Sequence, residues 1–225
     1  MNLFVTGGTG FFGKALLRYW QNNSSNFEKI ILLSRSPNVF LEKYSDLVEE
    51  LPIEFIKGDI LNLSESDFDL KFDVVLHAAT DSTIGPSLDR LEVYRQITQG
   101  TEEVLKFAIN HSCQKFILIS SGGVYGAQPS SMEKISEDYL GMPDPLDPNS
   151  AYGFGKRAAE HLTALYSDKY GFDYAIARCF AFVGEDLPLN AHYAIGNFIK
   201  DAISGRDIVI NGDGSPLRSI FINMT

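Results

Sequence analysis

The stretch VTGGTGFFGKALL, residues 5–17, places several glycines directly after a short apolar run and before a segment with helical spacing. Gly8, Gly10 and Gly13 satisfy the pattern G-x-G-x-x-G, and Gly7, Gly10 and Gly13 satisfy the related G-x-x-G-x-x-G. Such glycines permit a tight turn, a close approach of backbone to a pyrophosphate, and close packing of helix on strand. The free N–H groups at the start of the helix favour phosphate. The alternative is a glycine-rich turn with a structural role alone.

The rest of the chain alternates short apolar runs with longer segments that have helical spacing. The runs lack polar alternation, which is typical of strands buried on both faces of a parallel sheet. Helices are expected over 11–22, roughly 87–111 and 152–170. Strand–helix–strand repetition predicts a doubly wound α/β fold with a parallel sheet. The predicted strands cover 2–5, 29–33, 53–56, 73–79, 115–120 and 174–177.

Two later regions depart from this rhythm. Residues 127–150 are polar, contain four prolines, and predict a long surface loop. After residue 180 the pattern predicts a loop, a helix over 191–204, a short strand over 207–210 and a glycine-rich turn. We therefore expect a dinucleotide-binding domain with the catalytic residues over 1–179, and a small, partial substrate-binding lobe over 180–225.

Composition excludes several classes of function. The chain of 225 residues is 44% hydrophobic and 21% charged, as expected for a globular protein, and its net charge of −10 argues against a nucleic-acid partner. Two cysteines without metal-like spacing and four scattered histidines predict no metal site and a reducing compartment. The N-terminus has no signal-peptide pattern and no stretch is long enough to span a bilayer, so a cytoplasmic location is expected.

The residues that end the second strand bear on the choice between NAD and NADP. A dinucleotide-binding chain often has an acidic residue about 20 positions after the glycine motif, to hold the adenine ribose. Here Ser34 and Arg35 occupy that place. Without a carboxylate to repel a 2′-phosphate, and with a guanidinium to pair with it, NADP is favoured. The alternative is that Arg35 stacks on adenine or faces solvent.

Further candidates for cofactor contact end the third and fourth strands. Asp59 and Ile60 follow the third strand and are expected near the adenine. An alternative for Asp59 is a turn or helix-capping residue. The small side chains of Ala78 and Ala79, followed by Thr80, would let a cofactor lie close to the backbone, whereas His77 could equally be a hydrogen-bonded core residue.

Several motifs, in order along nearly the whole chain, resemble the extended short-chain dehydrogenases/reductases. They are TGGTGFFG (6–13), GDI (58–60), HAA (77–79), SSGGVYG (120–126) and YGFGK (152–156). Two later stretches, RCF…G (178–184) and GDGSPLRS (212–219), are similar to the nucleotide-sugar epimerase/dehydratase branch of that family. The resemblance implies a Rossmann fold, an NAD(P) cofactor and a nucleotide-sugar substrate. It also implies a homodimer formed by the helices 87–111 and 152–170.

The resemblance assigns roles to individual positions. Tyr152 would be the catalytic acid/base, Lys156 its partner and a ribose ligand, and Ser121 a hydrogen-bond donor to the reacting oxygen. Arg218 stands where relatives hold the substrate's diphosphate. The positions that match cofactor contacts are Gly7, Gly10, Phe11, Phe12, Gly13, Ser34, Arg35, Asp59, Ile60, Ala78, Ala79, Thr80, Tyr152, Lys156 and Phe180.

Hydride chemistry independently calls for a tyrosine and a lysine at this spacing. A tyrosine titrates near pH ~10, so a nearby ammonium and the positive nicotinamide ring are expected to favour the phenolate of Tyr152 and make it a usable base. At positions i and i+4 of a helix, Tyr152 and Lys156 share one face. We further expect Gly153 and Gly155 to leave room for the nicotinamide ribose. The alternative is an incidental surface pair.

The chain also departs from the family pattern. Ile97 and Ala181 stand where many relatives have asparagine, and the change at Ala181 puts one diphosphate contact in doubt. Dehydratases of this family follow the catalytic hydroxyl with an acidic pair, whereas Gly122 and Gly123 follow Ser121 here. That difference argues against dehydration. Relatives continue past the GDG…R segment, so the chain is expected to be a fragment.

Three functions follow from these patterns. The first is an NAD(P)-dependent epimerase or reductase of a nucleotide sugar. The second is an NADP-dependent reductase of another carbonyl substrate. The third is a dinucleotide-binding sensor without turnover, which the set Ser121, Tyr152 and Lys156 argues against.

Overall fold

The predicted apolar runs form one parallel sheet. The structure, a computed structural model, describes residues 1–23, 26–65, 70–80, 89–189, 191, 193–210, 212–213 and 220–222. All six runs contain strands, as predicted. The strands of the main sheet are β1 (Asn2–Thr6), β2 (Lys29–Ser34), β3 (Ile53–Lys57), β4 (Val74–His77), β5 (Lys115–Ser121) and β6 (Asp173–Cys179).

Five α-helices are present in the described part of the chain, close to the predicted positions. The first helix has the predicted bounds, and the helix expected over 87–111 begins at Arg90, with residues 81–88 outside the described region. The second helix was missed, because its apolar periodicity is short and follows a proline. The helices are α1 (Phe11–Asn22), α2 (Pro37–Tyr44), α3 (Arg90–Asn110), α4 (Ala151–Tyr170) and α5 (Ala194–Ile203).

The sheet has the strand order β3-β2-β1-β4-β5-β6, and every neighbouring pair is parallel. Phe4 of β1 pairs with Ile31 of β2 on one side and with Val75 of β4 on the other. The chain order therefore reverses beside β1. In open α/β sheets ligands bind at such a switch point, outside the carboxyl ends of the strands.

Alternate residues of the central strands face opposite layers of the core. Phe4 packs with Val104 and Phe107 of α3, whereas Leu3 and Val5 pack with Leu17 of α1. Successive side chains of a strand point to opposite faces, so a continuous apolar run suits a sheet covered on both sides. The prediction of full burial is wrong for β3 and β6, which lie at the sheet edges and are partly exposed.

The region between β5 and α4 is an extended loop, as predicted. It runs from Gly126 to Asp147 without helix or strand and ends in a 3₁₀ turn at Pro148–Ser150. Arg157 of α4 donates from Nη1 to the carbonyl oxygens of Val124 (3.1 Å) and Gly141 (2.8 Å). These bonds tie the turn before the loop, and a point in the loop's second half, to the helix that carries the tyrosine.

The C-terminal region contains a second, two-stranded sheet. Strands β7 (Ala181–Val183) and β8 (Ile220–Ile222) are parallel, and α5 lies between them in sequence. The strand predicted over 207–210 is wrong: this segment pairs with no strand in the described residues, and Ile208, Val209 and Ile210 are exposed. Apolar β-branched composition alone does not make a strand without a hydrogen-bonding partner. The division into 1–179 and 180–225 stays a prediction.

Candidate active site

A deep cleft opens at the carboxyl ends of the parallel strands, beside the switch point. Its volume is about 1610 Å³. The structure brings most of the predicted residues to this cleft, although their roles stay predictions. Those that line it are Gly7, Gly10, Phe11, Phe12, Ser34, Arg35, Asp59, Ile60, Ala78, Ala79, Thr80, Ser121, Tyr152, Lys156 and Phe180. Gly13 does not line it, and Arg218 falls outside the described residues.

The glycine-rich turn is shaped by close contacts that a side chain would prevent. Gly7 has φ +76°, and a Cβ there would lie 2.6 Å from the carbonyl carbon of Ala78 and from the nitrogen of Ala79. At Gly13 a Cβ would lie 2.3 Å from the oxygen of Gly8, so this glycine serves the packing of α1 on the turn. Two of the three predicted glycine functions, the tight turn and close packing, are therefore accounted for by contacts within the protein.

Gly10 has a different environment, open towards the cleft. A Cβ at this position would meet only the oxygen of Gly7, at 3.3 Å. Gly10 is also the N-cap of α1, which has no side-chain cap and no acidic residue in its first turn. The N–H groups at the start of this twelve-residue helix are therefore left for a ligand, and the helix dipole favours an anionic one. The turn fits the pyrophosphate of a dinucleotide.

His77 is a buried core residue that is held by hydrogen bonds, which was one of the two roles that the sequence left open for it. Its Nδ1 lies 2.7 Å from Oγ1 of Thr6, and its Nε2 lies 3.1 Å from Oγ1 of Thr101. Burial, helped by the charge of Lys156, lowers the pKa of His77 to about 3, so the ring is neutral near pH 7. The Thr6 hydroxyl also accepts from the N–H of Ala79 at 3.2 Å. His77 thus links α3 to the backbone that packs on Gly7.

Asp59 caps the following turn, which is the alternative that the sequence left open, while its contact with adenine stays a prediction. It lines the cleft, and its Oδ1 accepts a hydrogen bond from the N–H of Leu61 at 3.0 Å, which caps the following 3₁₀ turn. The neighbouring Ile60 packs against α3, where a Cβ at Gly100 would lie 2.5 Å from its Cδ1. This wall of the cleft is fixed by capping and packing within the protein.

Ser121 and Tyr152 meet at the centre of the cleft. Ser121 ends β5, and its hydroxyl accepts from the N–H of Gly123 at 3.1 Å. Burial raises the pKa of Tyr152 above its usual value, and the hydrogen bond with Ser121 works in the opposite direction without cancelling it. The protein's own groups therefore do not lower the pKa of Tyr152, because the cost of burying a phenolate exceeds the help from its neighbours, and the effect expected from the nicotinamide ring stays a prediction.

Lys156 is almost fully buried, at 4% exposed, and its ammonium group is held by two oxygens. Nζ donates to Oγ1 of Thr80 at 2.7 Å and to the carbonyl oxygen of Ile119 at 2.9 Å. Burial lowers the pKa of Lys156 to about 8, although the nearby Cys179 and Glu160 raise it. Thr80, predicted as a cofactor contact, is thus also the residue that positions the lysine.

Gly153 and Gly155 are not there to make room for a ribose, so that expectation is wrong. A Cβ at Gly153 would lie 2.6 Å from the carbonyl oxygen of Gly123, and one at Gly155 would lie 3.3 Å from Cδ1 of Ile97. Both glycines are buried in α4. They let α4 pack closely on the turn after β5 and on α3, which brings Tyr152 towards Ser121.

The model of the NAD dependent epimerase/dehydratase family matches residues 3–221 of the chain. The chain belongs to this family. The resemblance drawn from the motifs is confirmed, and so is the α/β fold with a parallel sheet.

The names of individual relatives include a glycan biosynthesis protein, a nucleotide-sugar dehydratase and a nucleotide-sugar epimerase. The low-salt glycan biosynthesis protein Agl12 of Haloferax volcanii is 28% identical over 97% of this chain and 68% of its own. A dTDP-glucose 4,6-dehydratase of Haemophilus influenzae is 30% identical over 97% of this chain and 66% of its own. The UDP-glucuronic acid 4-epimerase of Bacillus cereus, solved with UDP-glucuronic acid and NAD, is 27% identical with a TM-score of 0.81, and the match covers 99% of this chain and 69% of that one. The chain thus spans about two thirds of their length.

A nicotinamide dinucleotide is the cofactor class of this family, and the described residues fit it. Gly10 has no side chain that would cover the start of α1, and Gly7 lets the turn pack closely against Ala78. The ammonium group of Lys156 adds a positive charge to the lining of the cleft. Among the described residues no group of three acidic, histidine or cysteine side chains is placed to hold a metal. No helix in the described part of the chain is long and apolar enough to cross a membrane.

Two clusters of charged side chains at the site were not predicted from the sequence. One joins α1 to the segment after β7: Nζ of Lys14 lies 2.9 Å from Oδ1 of Asp186, and Arg18 pairs with the other oxygen. Burial raises the pKa of Asp186, but the two cations outweigh it and the net shift is downward. No local pattern could reveal a pair so far apart in sequence. The other cluster, around Glu160 and Arg178, lies behind the cleft.

Phe180 forms the wall of the cleft nearest the second sheet. Its ring is 54% exposed and stacks on Tyr125 with a centroid distance of 6.3 Å. A Cβ at Gly122 would lie 2.6 Å from Cε1 of Phe180. The glycine directly after Ser121 is therefore needed to seat this ring, and no carboxylate can take its place without displacing Phe180.

Proposed function

We propose that the protein is an NAD(P)-dependent epimerase that inverts one carbon of a nucleotide sugar by reversible hydride transfer. The observation that carries this proposal is the convergence of Ser121, Tyr152 and Lys156 in one cleft with the open end of α1. Family membership and the epimerase of similar structure support it. A nucleotide-sugar substrate is inferred from what those relatives act on.

The roles of the chain's own groups follow from their positions. A bound nicotinamide dinucleotide supplies a hydride acceptor that can also return the hydride. Tyr152 would accept the proton of the substrate hydroxyl and later give it back. Ser121 orients the phenol and donates to the reacting oxygen. Lys156, on the same face of α4, adds a positive charge that favours the phenolate, since burial alone opposes it.

Positions 122 and 123 favour epimerisation over dehydration. Expulsion of water needs an acid beside the reacting carbon, and the family's dehydratases are expected to carry it directly after the catalytic hydroxyl. Here those positions are Gly122 and Gly123, and Phe180 covers the first of them. The tyrosine is therefore the acid/base that the cleft provides beside Ser121, which suffices for removing and returning one proton.

Turnover of a panel of nucleotide sugars tests this function. Protein loaded with NAD⁺ or NADP⁺ is incubated separately with UDP-glucuronic acid, UDP-glucose, UDP-N-acetylglucosamine and dTDP-glucose. We expect the anomeric ¹H NMR signals of one of them to split into substrate and epimer without net change in cofactor absorbance. A 4-keto product would instead show dehydration, and net oxidation of NADPH would show a reductase. Binding without any product would favour the sensor.

We also propose that NADP is preferred to NAD. A smaller cavity of about 350 Å³ adjoins the cleft at the end of β2. It contains two cationic side chains, Arg35 and Lys43, and four hydroxyl side chains, with no acidic residue among the residues that line it. This combination suits a phosphate on the adenine ribose. Its lining residues are Thr9, Ser34, Arg35, Ser36, Val39, Phe40, Lys43 and Tyr44.

Arg35→Ala should weaken NADPH binding much more than NADH binding. Loss of one charge-assisted hydrogen bond corresponds to roughly 10- to 100-fold in affinity for NADPH. Lys43→Ala should act in the same direction. Fluorescence titration with both cofactors measures the effect, and Lys115→Ala, at the amino end of β5, is the control. Equal losses of affinity for NADH and NADPH would show that Arg35 does not bind the 2′-phosphate.

Two further expectations stay predictions. The helices predicted to form a homodimer expose apolar side chains, including Leu91 of α3 and Leu165 of α4. The cytoplasmic location rests on the sequence alone.

A further inference from the structure

A buried ion pair lies behind the cleft and outside its lining. Glu160 of α4 is only 8% exposed, and two nitrogens of Arg178 of β6 donate hydrogen bonds to its carboxylate. Nη2 of Arg178 lies 2.8 Å from Oε2, and Nε lies 3.1 Å from Oε1. The hydroxyl of Ser120 donates to Oε1 at 2.6 Å. Bidentate pairing with an extra donor satisfies most of the acceptor capacity of the carboxylate.

Arg178 extends this network to the loop that follows β5. Its Nη1 donates to the hydroxyl of Tyr125 at 2.9 Å and to the carbonyl oxygen of Glu137 at 3.0 Å. Its guanidinium carbon lies 4.8 Å from the centroid of the Tyr125 ring, which also contacts the rings of Phe180 and Tyr139. One side chain therefore connects α4, β6, the end of β5 and the wall of the cleft.

Two members of the network, Ser120 and Glu160, are adjacent to residues of the catalytic set. Ser120 precedes Ser121 on β5, and Glu160 lies one helical turn after Lys156 on the same face of α4. We propose that Glu160 and Arg178 are positioning residues that hold the serine and the tyrosine–lysine helix in register, and that the Glu160 carboxylate keeps the Lys156 ammonium charged. The catalytic meaning of the pair rests on the function proposed above.

The groups that face Lys156 leave Glu160 as its negative partner. From β4, His77 is neutral because its pKa is lowered to about 3. From β6, Cys179 has a pKa raised mainly by burial, which keeps the thiol protonated near neutral pH. The pKa of Tyr152 is also raised. Burial lowers the pKa of Lys156 itself to about 8, and Cys179 and Glu160 both oppose that shift.

Titration of Lys156 by NMR tests the proposal without a substrate. The protein is labelled with ¹³C at the ε-carbon of lysine, and Lys156→Arg assigns the signal. In the wild type the midpoint is expected at about pH 8. Glu160→Gln removes the negative charge and should lower the midpoint by about one pH unit or more. Arg178→Gln leaves the carboxylate without its cation and should raise the midpoint.

Two charge-conserving variants serve as matched controls. Glu160→Asp and Arg178→Lys keep both charges and should leave the midpoint near that of the wild type. A pair that only stabilised the fold would lower the melting temperature of all four variants and leave the midpoint in place. That result, or movement of both neutral variants in the same direction, overturns the proposal. If Arg178→Gln does not fold, Glu160→Gln against Glu160→Asp decides alone.

The titration remains informative whichever reaction the protein catalyses. A shift of the Lys156 midpoint in Glu160→Gln upholds the coupling even if no nucleotide sugar is turned over. Conversely, epimerisation with an unmoved midpoint upholds the proposed function and rejects the coupling. Turnover as a function of pH then links the two: its high-pH limb should move downward in Glu160→Gln and stay in place in Glu160→Asp.

Discussion

Tyr152→Phe should abolish turnover while leaving cofactor affinity nearly unchanged. The substitution removes one oxygen from a ring that is packed against the core and the turn after β5. General acid/base catalysis contributes about 10²- to 10⁴-fold, so the rate constant should fall by at least that factor. Because phenylalanine retains the ring, the fold and the glycine-rich turn should be unaffected. Initial rates with whichever nucleotide sugar is turned over, and NADPH titration, measure the two effects.

Tyr170→Phe is the matched control for this variant. Tyr170 ends the same helix and is 48% exposed, far from the cleft along α4. Its loss of a hydroxyl should change neither rate nor affinity. If Tyr152→Phe kept the activity of the wild type, another group would be the proton acceptor and the mechanism would be wrong. If Tyr152→Phe lost cofactor affinity as well, the main role of the phenol would be to bind the cofactor.

The fold could be predicted from the sequence because its main signals are local. The glycines between β1 and α1, and six apolar runs, each depend only on neighbouring residues, and the strand order follows from the family that those motifs resemble. The failures have a common physical origin. Whether the segment 207–210 becomes a strand depends on a partner elsewhere in the chain, and spacing does not reveal one.

The chemistry of the site was harder to predict than its location. Sequence spacing places Tyr152 and Lys156 on one face, but the pKa of the tyrosine depends on how deeply the fold buries it. The same holds for Gly153 and Gly155, whose function is set by Gly123 and Ile97 across the packing interface. Motif residues thus indicate where a reaction takes place. The energetics come from contacts between residues distant in sequence.

Gly7→Ala should both destabilise the protein and weaken cofactor binding. The left-handed backbone, with φ +76°, costs an alanine roughly 1–2 kcal/mol. The new Cβ would also lie 2.6 Å from the backbone of Ala78 and Ala79, which cannot yield as a flexible side chain would. The sum is about 2–5 kcal/mol, or a melting temperature lower by about 5–20 °C. Because relief of the clash moves the turn away from β4, NADPH affinity should drop by about tenfold or more.

Gly171→Ala separates backbone strain from close approach. Gly171 is the C-cap of α4 and has φ +77°, nearly the value of Gly7, but nothing lies within 4 Å of its Cβ position. In this variant only the backbone strain should act, which lowers the free energy of unfolding by about 1–2 kcal/mol and the melting temperature by about 2–8 °C. The affinity for NADPH should be unchanged. Circular dichroism melts with and without NADPH compare the two variants. If Gly7→Ala and Gly171→Ala had equal melting temperatures and equal affinities for NADPH, the close contact between Gly7 and the end of β4 would not contribute to stability. The turn would then tolerate a side chain.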